Sequence, residues 1–182
     1  VCTIYTHGVV GLGAGTIYAR SKLPVSFWVL ATLLPMLPDV DSFWDAPYGS
    51  MFGHRGFTHS LVFALAASLI AAALLRHRLR YVPLVIFLFL ITASHGILDA
   101  FTDGGFGIPL SWPFSNHRFG PWGPIRVSDI GFEMPNWRTS RTVQTELLYV
   151  WLPVAVIVGI RAGVWVWRKS QTRHGQAIGP HV

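Results

Sequence analysis

Apolar residues in this chain come in long unbroken blocks rather than in the alternation of a half-buried strand, and blocks of this length predict helices. Three of them approach the ~20 residues that carry a helix across a bilayer: His59 to Leu75, Tyr81 to Phe101, and Leu147 to Trp167. These are read as transmembrane helices. Pro83 lies in the first turn of the second, where a missing N–H costs little. Two shorter blocks come earlier, His7 to Ala19 and Pro24 to Leu37, separated by the polar Arg20-Ser21-Lys22 turn. At 1.5 Å per residue each reaches only about 20 Å, which suits a buried helical hairpin or short spans.

Pro35 and Pro38 should end the second block and release the chain into a loop containing Asp39, Asp41 and Asp45. From Thr102 to Arg141 no period is visible. Gly, Pro, Arg and the aromatics Phe106, Trp112, Phe114, Phe119 and Trp122 predict a structured surface loop at a membrane interface or around a cleft. Past Arg168 the polar residues predict a frayed tail. The organisation expected is all-α: one polytopic membrane helical bundle over residues 1–168 and a polar tail over 169–182, with no internal repeat.

Composition supports lipid as the solvent. Of 182 residues 52% are hydrophobic and only 12% charged, where soluble domains carry about 25% charged residues. The net charge of +6, from fourteen Lys and Arg against eight acids, raises the question of nucleic acid. Yet Arg76, Arg78 and Arg80, like Arg168, Lys169 and Arg173, flank apolar blocks, where basic residues set membrane orientation. No basic stripe interleaves with stacking aromatics as single-strand binders require, so no nucleic-acid partner is expected. Cys2 is the single cysteine, which excludes an intrachain disulfide. The chain opens at Val1, and the His7–Ala19 block lacks the charged leader and small-residue cleavage site of a signal peptide.

The candidate chemistry sits in Leu37-Pro38-Asp39-Val40-Asp41, Gly53-His54-Arg55-Gly56-Phe57-Thr58-His59-Ser60 and Ser94-His95-Gly96-Ile97-Leu98-Asp99, with His7 at the head of the first block. His95 and Asp99 are four apart and share a helix face, so they can converge on one ion. A single histidine in an apolar segment is more often a hydrogen-bonded structural group. The grouping of His7, Asp39, Asp41, His54, His59, His95 and Asp99 argues instead for a metal site. Its nitrogen and oxygen donors suit zinc, manganese or iron.

Topology gives an independent reason to group them. If the basic turns Arg20–Lys22 and Arg76–Arg80 and the end after Arg168 face the cytoplasm, the opposite helix ends lie together on the other side. Those ends carry all seven candidate ligands. Arg118, Arg126, Arg138 and Arg141 fall on that same side and run against the charge rule. Either the orientation is inverted, or these guanidiniums meet an anionic substrate or lipid headgroups.

Other chemistries fit less well. Ser60 beside His59 and Ser94 beside His95 are sequence neighbours, and adjacent helical residues do not face each other. Gly11-Leu12-Gly13-Ala14-Gly15 does not match a phosphate-binding loop and reads as close helix packing.

In order and density these residues resemble the family of LexA-regulated inner-membrane proteins regarded as metal-dependent hydrolases. The N-terminal His, Pro-Asp-Val-Asp, His-Arg-Gly-Phe-Thr-His-Ser, the Ser-His with Asp four residues after the His, Thr102 and Ile108-Pro109-Leu110-Ser111-Trp112-Pro113 carry the resemblance, over roughly residues 7–120. That family is in turn similar to zinc-dependent phospholipase C and related single-strand nucleases. The resemblance implies phosphoester hydrolysis in a bacterial inner membrane, with His95 and Asp99 matching a His-x-x-x-Asp ligand pair. An Asp of Asp39/Asp41 and a His of His54/His59 match the remaining ligand types. The late His and Glu set of the phospholipases is missing here, so one or two metals are expected, not three. A metal-activated water would attack the ester, with Asp39 or Asp41 as general base and Arg55 stabilising negative charge on the substrate. The alternative is a metal-binding membrane protein without catalysis, in transport or a stress response.

Overall fold

A computed structural model describes residues 2–19, 22–127 and 140–177 of the chain, with side chains described as far as Gln171. Arg20 and Ser21 of the first basic turn, Arg138 in the long loop, the Arg173 side chain and the tail from Ile178 lie outside the described residues.

The elements are α1 (Ile4–Tyr18), α2 (Val25–Leu33), a 3-10 segment (Leu34–Phe43), a short 3-10 turn (Phe57–His59), α3 (Leu61–Leu75), α4 (Tyr81–Ala100), α5 (Arg141–Glu146), a π-turn (Leu147–Trp151) and α6 (Leu152–Ala177). The fold is an all-helical bundle. Among the described residues β pairing is limited to two isolated bridges, Thr102 with Ile125 and Ile108 with Phe119, both within the long loop. The described part of that loop, as far as residue 127, is structured: the Ile108 and Phe119 backbones exchange hydrogen bonds of 2.8 and 2.9 Å.

Among the described residues two helices, not three, are long and apolar enough to cross a membrane: α4, and the continuous helix Arg141–Gln171 made by α5, the π-turn and most of α6. The block expected to span from His59 loses its first two residues because Ser60 caps α3, its Oγ accepting the Phe63 N–H at 3.1 Å. The 15 residues left reach only about 22 Å. The region around Pro35 and Pro38 also departs from expectation. α2 stops at Leu33, but the chain tightens into the 3-10 segment instead of opening into a loop, with Pro35 in its first turn. At the other end helix continues through Ala177, past the point where fraying was expected.

The main core joins Phe27, Ala31 and Leu34 to Ala71, Ala72 and Leu75 of α3 and Leu84, Phe87, Leu88 and Ile91 of α4. α1 lies close against α2 because Gly11 has no side chain: a Cβ there would overlap the Ala31 carbonyl. α6 docks on the far end of α1 through Arg161, which donates to the carbonyls of Thr16 at 2.6 Å and Ala19 at 2.5 Å. These are carbonyls that a helix C-terminus leaves without intrahelical partners. The alternating helices bring the start of α1, the 3-10 segment, the start of α3 and the end of α4 to one end of the bundle.

Candidate metal centre

Each element contributes for a local reason. The 3-10 segment turns Asp39 and Asp41 inward, both at most 2% exposed. The 3-10 turn before α3 places His59, and the i, i+4 spacing of α4 aligns His95 with Asp99. His59, His95 and Asp99 are buried with them.

Four atoms from these residues form a polyhedron. His95 Nε2 and His59 Nε2 lie 3.4 and 3.6 Å from Asp39 Oδ1, and 3.8 and 3.6 Å from Asp99 Oδ2. All four atoms are buried and have no hydrogen-bond partner. Unpaired buried polar atoms are costly, and four converging ones call for an explanation. The ligand atoms of the four residues all lie within 4.8 Å of one another, and N···O spacings of 3.4–3.8 Å are those of donors about 2 Å from a shared ion, the distance of zinc bound by His and carboxylate. The residues present therefore fit a divalent metal ion.

The atoms behind the ligands agree with this. His95 Nδ1 donates to the Pro35 carbonyl at 2.8 Å. A carbonyl can only accept, which fixes the tautomer and leaves a lone pair on Nε2 toward the centre. His59 Nδ1 lies 3.0 Å from Thr58 Oγ1 and 3.2 Å from Asp41 Oδ2. Asp41 thus stands behind His59 as seen from this centre, while Asp39, Asp41, His54 and His59 form another close group that could hold an ion. Its Oδ2 also accepts from Thr58 Oγ1 at 2.6 Å, and its Oδ1 pairs with His54 Nδ1 at 2.7 Å. Burial would raise the Asp41 pKa, but hydrogen bonds from His54 and His59 outweigh it and hold the carboxyl at about 2.

His54 is the partly exposed member, at 19% of its side chain, and also meets Ser42 Oγ at 3.0 Å. His7, on α1, stacks on His95 with ring centroids 3.7 Å apart, its Nε2 3.5 Å from Asp99 Oδ1. Arg55 points elsewhere. Fully buried with φ of 64°, it donates to the Gly104 carbonyl at 2.8 Å and Thr102 Oγ1 at 3.0 Å, tying the His-Arg-Gly segment to the loop after α4. Arg118 extends that clamp through the carbonyls of Arg55, Gly107 and Gly49.

Sequence reasoning missed Glu146. Buried at 2% exposure, it accepts from the Thr3 N–H and hydroxyl and from Thr6 Oγ1 at 2.5–2.6 Å, locking the N-terminus to the long helix. A lone acid directly before the Leu147 block was the available signal. Thr58 was missed as well, although it sits between the two histidines of its motif.

Residues 2–167 match the family described as YdjM inner membrane protein. The chain is also similar to inner membrane protein YbcI of Escherichia coli (strain K12), 37% identical over 176 residues that cover 92% of this chain and 98% of that protein. No solved structure matches it.

Proposed function

The chain belongs to the YdjM inner membrane protein family, and on that premise we propose that it is a multi-pass membrane protein and a metal-dependent hydrolase acting on a phosphoester, lipid-linked or amphiphilic. The observation that carries the metal reading is the convergence of four unpaired buried atoms from Asp39, His59, His95 and Asp99. Zinc is the first choice of ion, with manganese or iron compatible with the same donors. The site end of the bundle is assigned to the non-cytoplasmic side, opposite the basic residues Arg76 to Arg80.

A divalent ion bound here supplies Lewis acidity and lowers the pKa of water toward neutrality. The chain's own groups divide the remaining work. Asp39 Oδ2 is buried and unpaired, so it is the acceptor for the proton of the attacking water. Asp41, with both oxygens already accepting, orients His59 and His54 instead. The water oxygen adds to phosphorus, the ester P–O bond breaks, and the leaving alkoxide takes a proton from His54 or solvent. Arg55 supports this by holding the loop after α4 in place, since its guanidinium is engaged there.

One observation favours the non-catalytic alternative. Four protein residues converge on the one centre, and four protein ligands are typical of structural zinc sites. Metal analysis of the detergent-purified chain and of a His95→Ala/Asp99→Ala variant, with a panel of phosphodiesters and phosphomonoesters, separates these readings. Bound metal that the double variant loses, together with hydrolysis of a panel member, is the expected result. Metal content unchanged by the substitutions would refute the site. Metal loss without hydrolysis by the wild type would favour the alternative.

A further inference from the structure

One ion at the first centre leaves His7 unexplained. This residue is 1% exposed and neither ring nitrogen has a hydrogen-bond partner. Its Nε2 approaches Asp99 Oδ1, whereas the first centre uses Asp99 Oδ2. The two oxygens of one carboxylate therefore serve two neighbourhoods. On the Oδ1 side lies Cys2, fully buried, its Sγ within 4.8 Å of the ligand atoms of His7 and Asp99. The Cys2 N–H donates to Asp99 Oδ1 at 2.9 Å, which fixes the residue beside the carboxylate. Its thiol makes only a long 3.9 Å contact with the Leu98 carbonyl.

We infer that Cys2, His7 and Asp99 hold a second divalent metal ion through a thiolate, an imidazole nitrogen and a carboxylate oxygen, with Asp99 bridging the two ions. This rests on the metal reading proposed above. Sulfur, nitrogen and oxygen donors together favour zinc or cobalt over magnesium or calcium. His7 stands apart from the first group, because its ring nitrogen faces the other oxygen of Asp99 and it groups with Cys2 instead of with Asp39, His59 and His95. The second position has three protein ligands, which leaves room for a water or substrate oxygen as a fourth.

The test is elemental analysis of the purified chain together with absorption spectroscopy after cobalt substitution, since a cysteine thiolate on cobalt gives an intense near-ultraviolet charge-transfer band. The expected result is two ions per chain and a clear band. His7→Ala should retain one ion, and the nearly isosteric Cys2→Ser should lose the band while keeping the fold. One ion per wild-type chain without a thiolate band would overturn this inference and leave the first site standing. A band surviving in Cys2→Ser, or two ions surviving in His7→Ala, would also overturn it. No bound metal at all would overturn both readings.

Discussion

The two long helices, α4 and the Arg141–Gln171 helix, are equally apolar and have opposite surroundings. In the most apolar stretch of α4 44% of the residues are buried inside the protein, against 6% in the other. α4 packs Leu84, Leu88 and Ile91 into the core and keeps His95 and Asp99 at its inner end. α6 presents Ile160, Trp165, Val166 and Trp167 outward, each more than half exposed. Hydropathy alone cannot tell a helix that builds the interior from one that faces lipid. The burial of ionisable groups separates them: His95 and Asp99 of α4 are fully enclosed, whereas Arg161 of α6 stays half-buried and reaches across to the end of α1.

The sharpest way to break this comparison is truncation at matched positions. Leu88→Ala removes a side chain with no exposure and opens a cavity, with an expected cost of about 2–5 kcal/mol. Ile160→Ala removes a side chain that is 63% exposed and should change stability by less than ~0.5 kcal/mol. Denaturation in mild detergent would measure both. Equal losses would mean that α6 packs against a second chain and not against lipid.

A smaller effect is expected at Asp41, which serves the centre from behind. Asp41→Asn keeps the shape but weakens the orientation of His59 and His54, and should lower metal affinity by about 10–100-fold without abolishing binding. Competition with a chelator of known affinity would show it; complete loss of metal would make Asp41 a ligand after all. The same carboxyl gives a pH signature. Its folded pKa of about 2 lies below the ordinary carboxylate value of 3.8, so its contribution to stability is present above 3.8 and lost as pH falls through about 2. Acid titration of the metal-free protein should show this contribution, and Asp41→Asn should lack it.

Much of this site was legible in the sequence because helix polarity is one-dimensional information. The order of apolar blocks and basic turns alone places His7, Asp39, His59, His95 and Asp99 at one end. The division of labour among them was not legible. Asp39 and Asp41 are two residues apart in one motif, and only the 3-10 winding of Leu34–Phe43 sends one to the centre and the other behind His59. Arg55 looked like a substrate group because its loop partners Thr102 and Gly104 are distant in sequence. Glu146 was hidden for the same reason, its hydroxyl partners being at the opposite end of the chain. The apparent span at His59 failed because Ser60 was counted by hydropathy when its role is that of a helix cap.

The smallest expected effect lies where the two long helices are linked beyond the core. Asp103, just after α4, pairs with Arg126 at 2.7 Å and accepts the Val127 N–H at 2.8 Å, while the Arg126 N–H donates to Thr145 in α5. The Arg126 side chain is 55% exposed, so its ion pair is screened by solvent and contributes less than ~1 kcal/mol. The Val127 N–H is the leading cause that holds the Asp103 carboxyl below its ordinary pKa, ahead of Arg126. Arg126→Ala should therefore leave the melting temperature almost unchanged. Asp103→Ala should lower it further, because it also strips an acceptor from the Val127 backbone. If Arg126→Ala were the more damaging, the link between the helices would depend on charge, and raising the salt concentration would loosen it in the wild type as well.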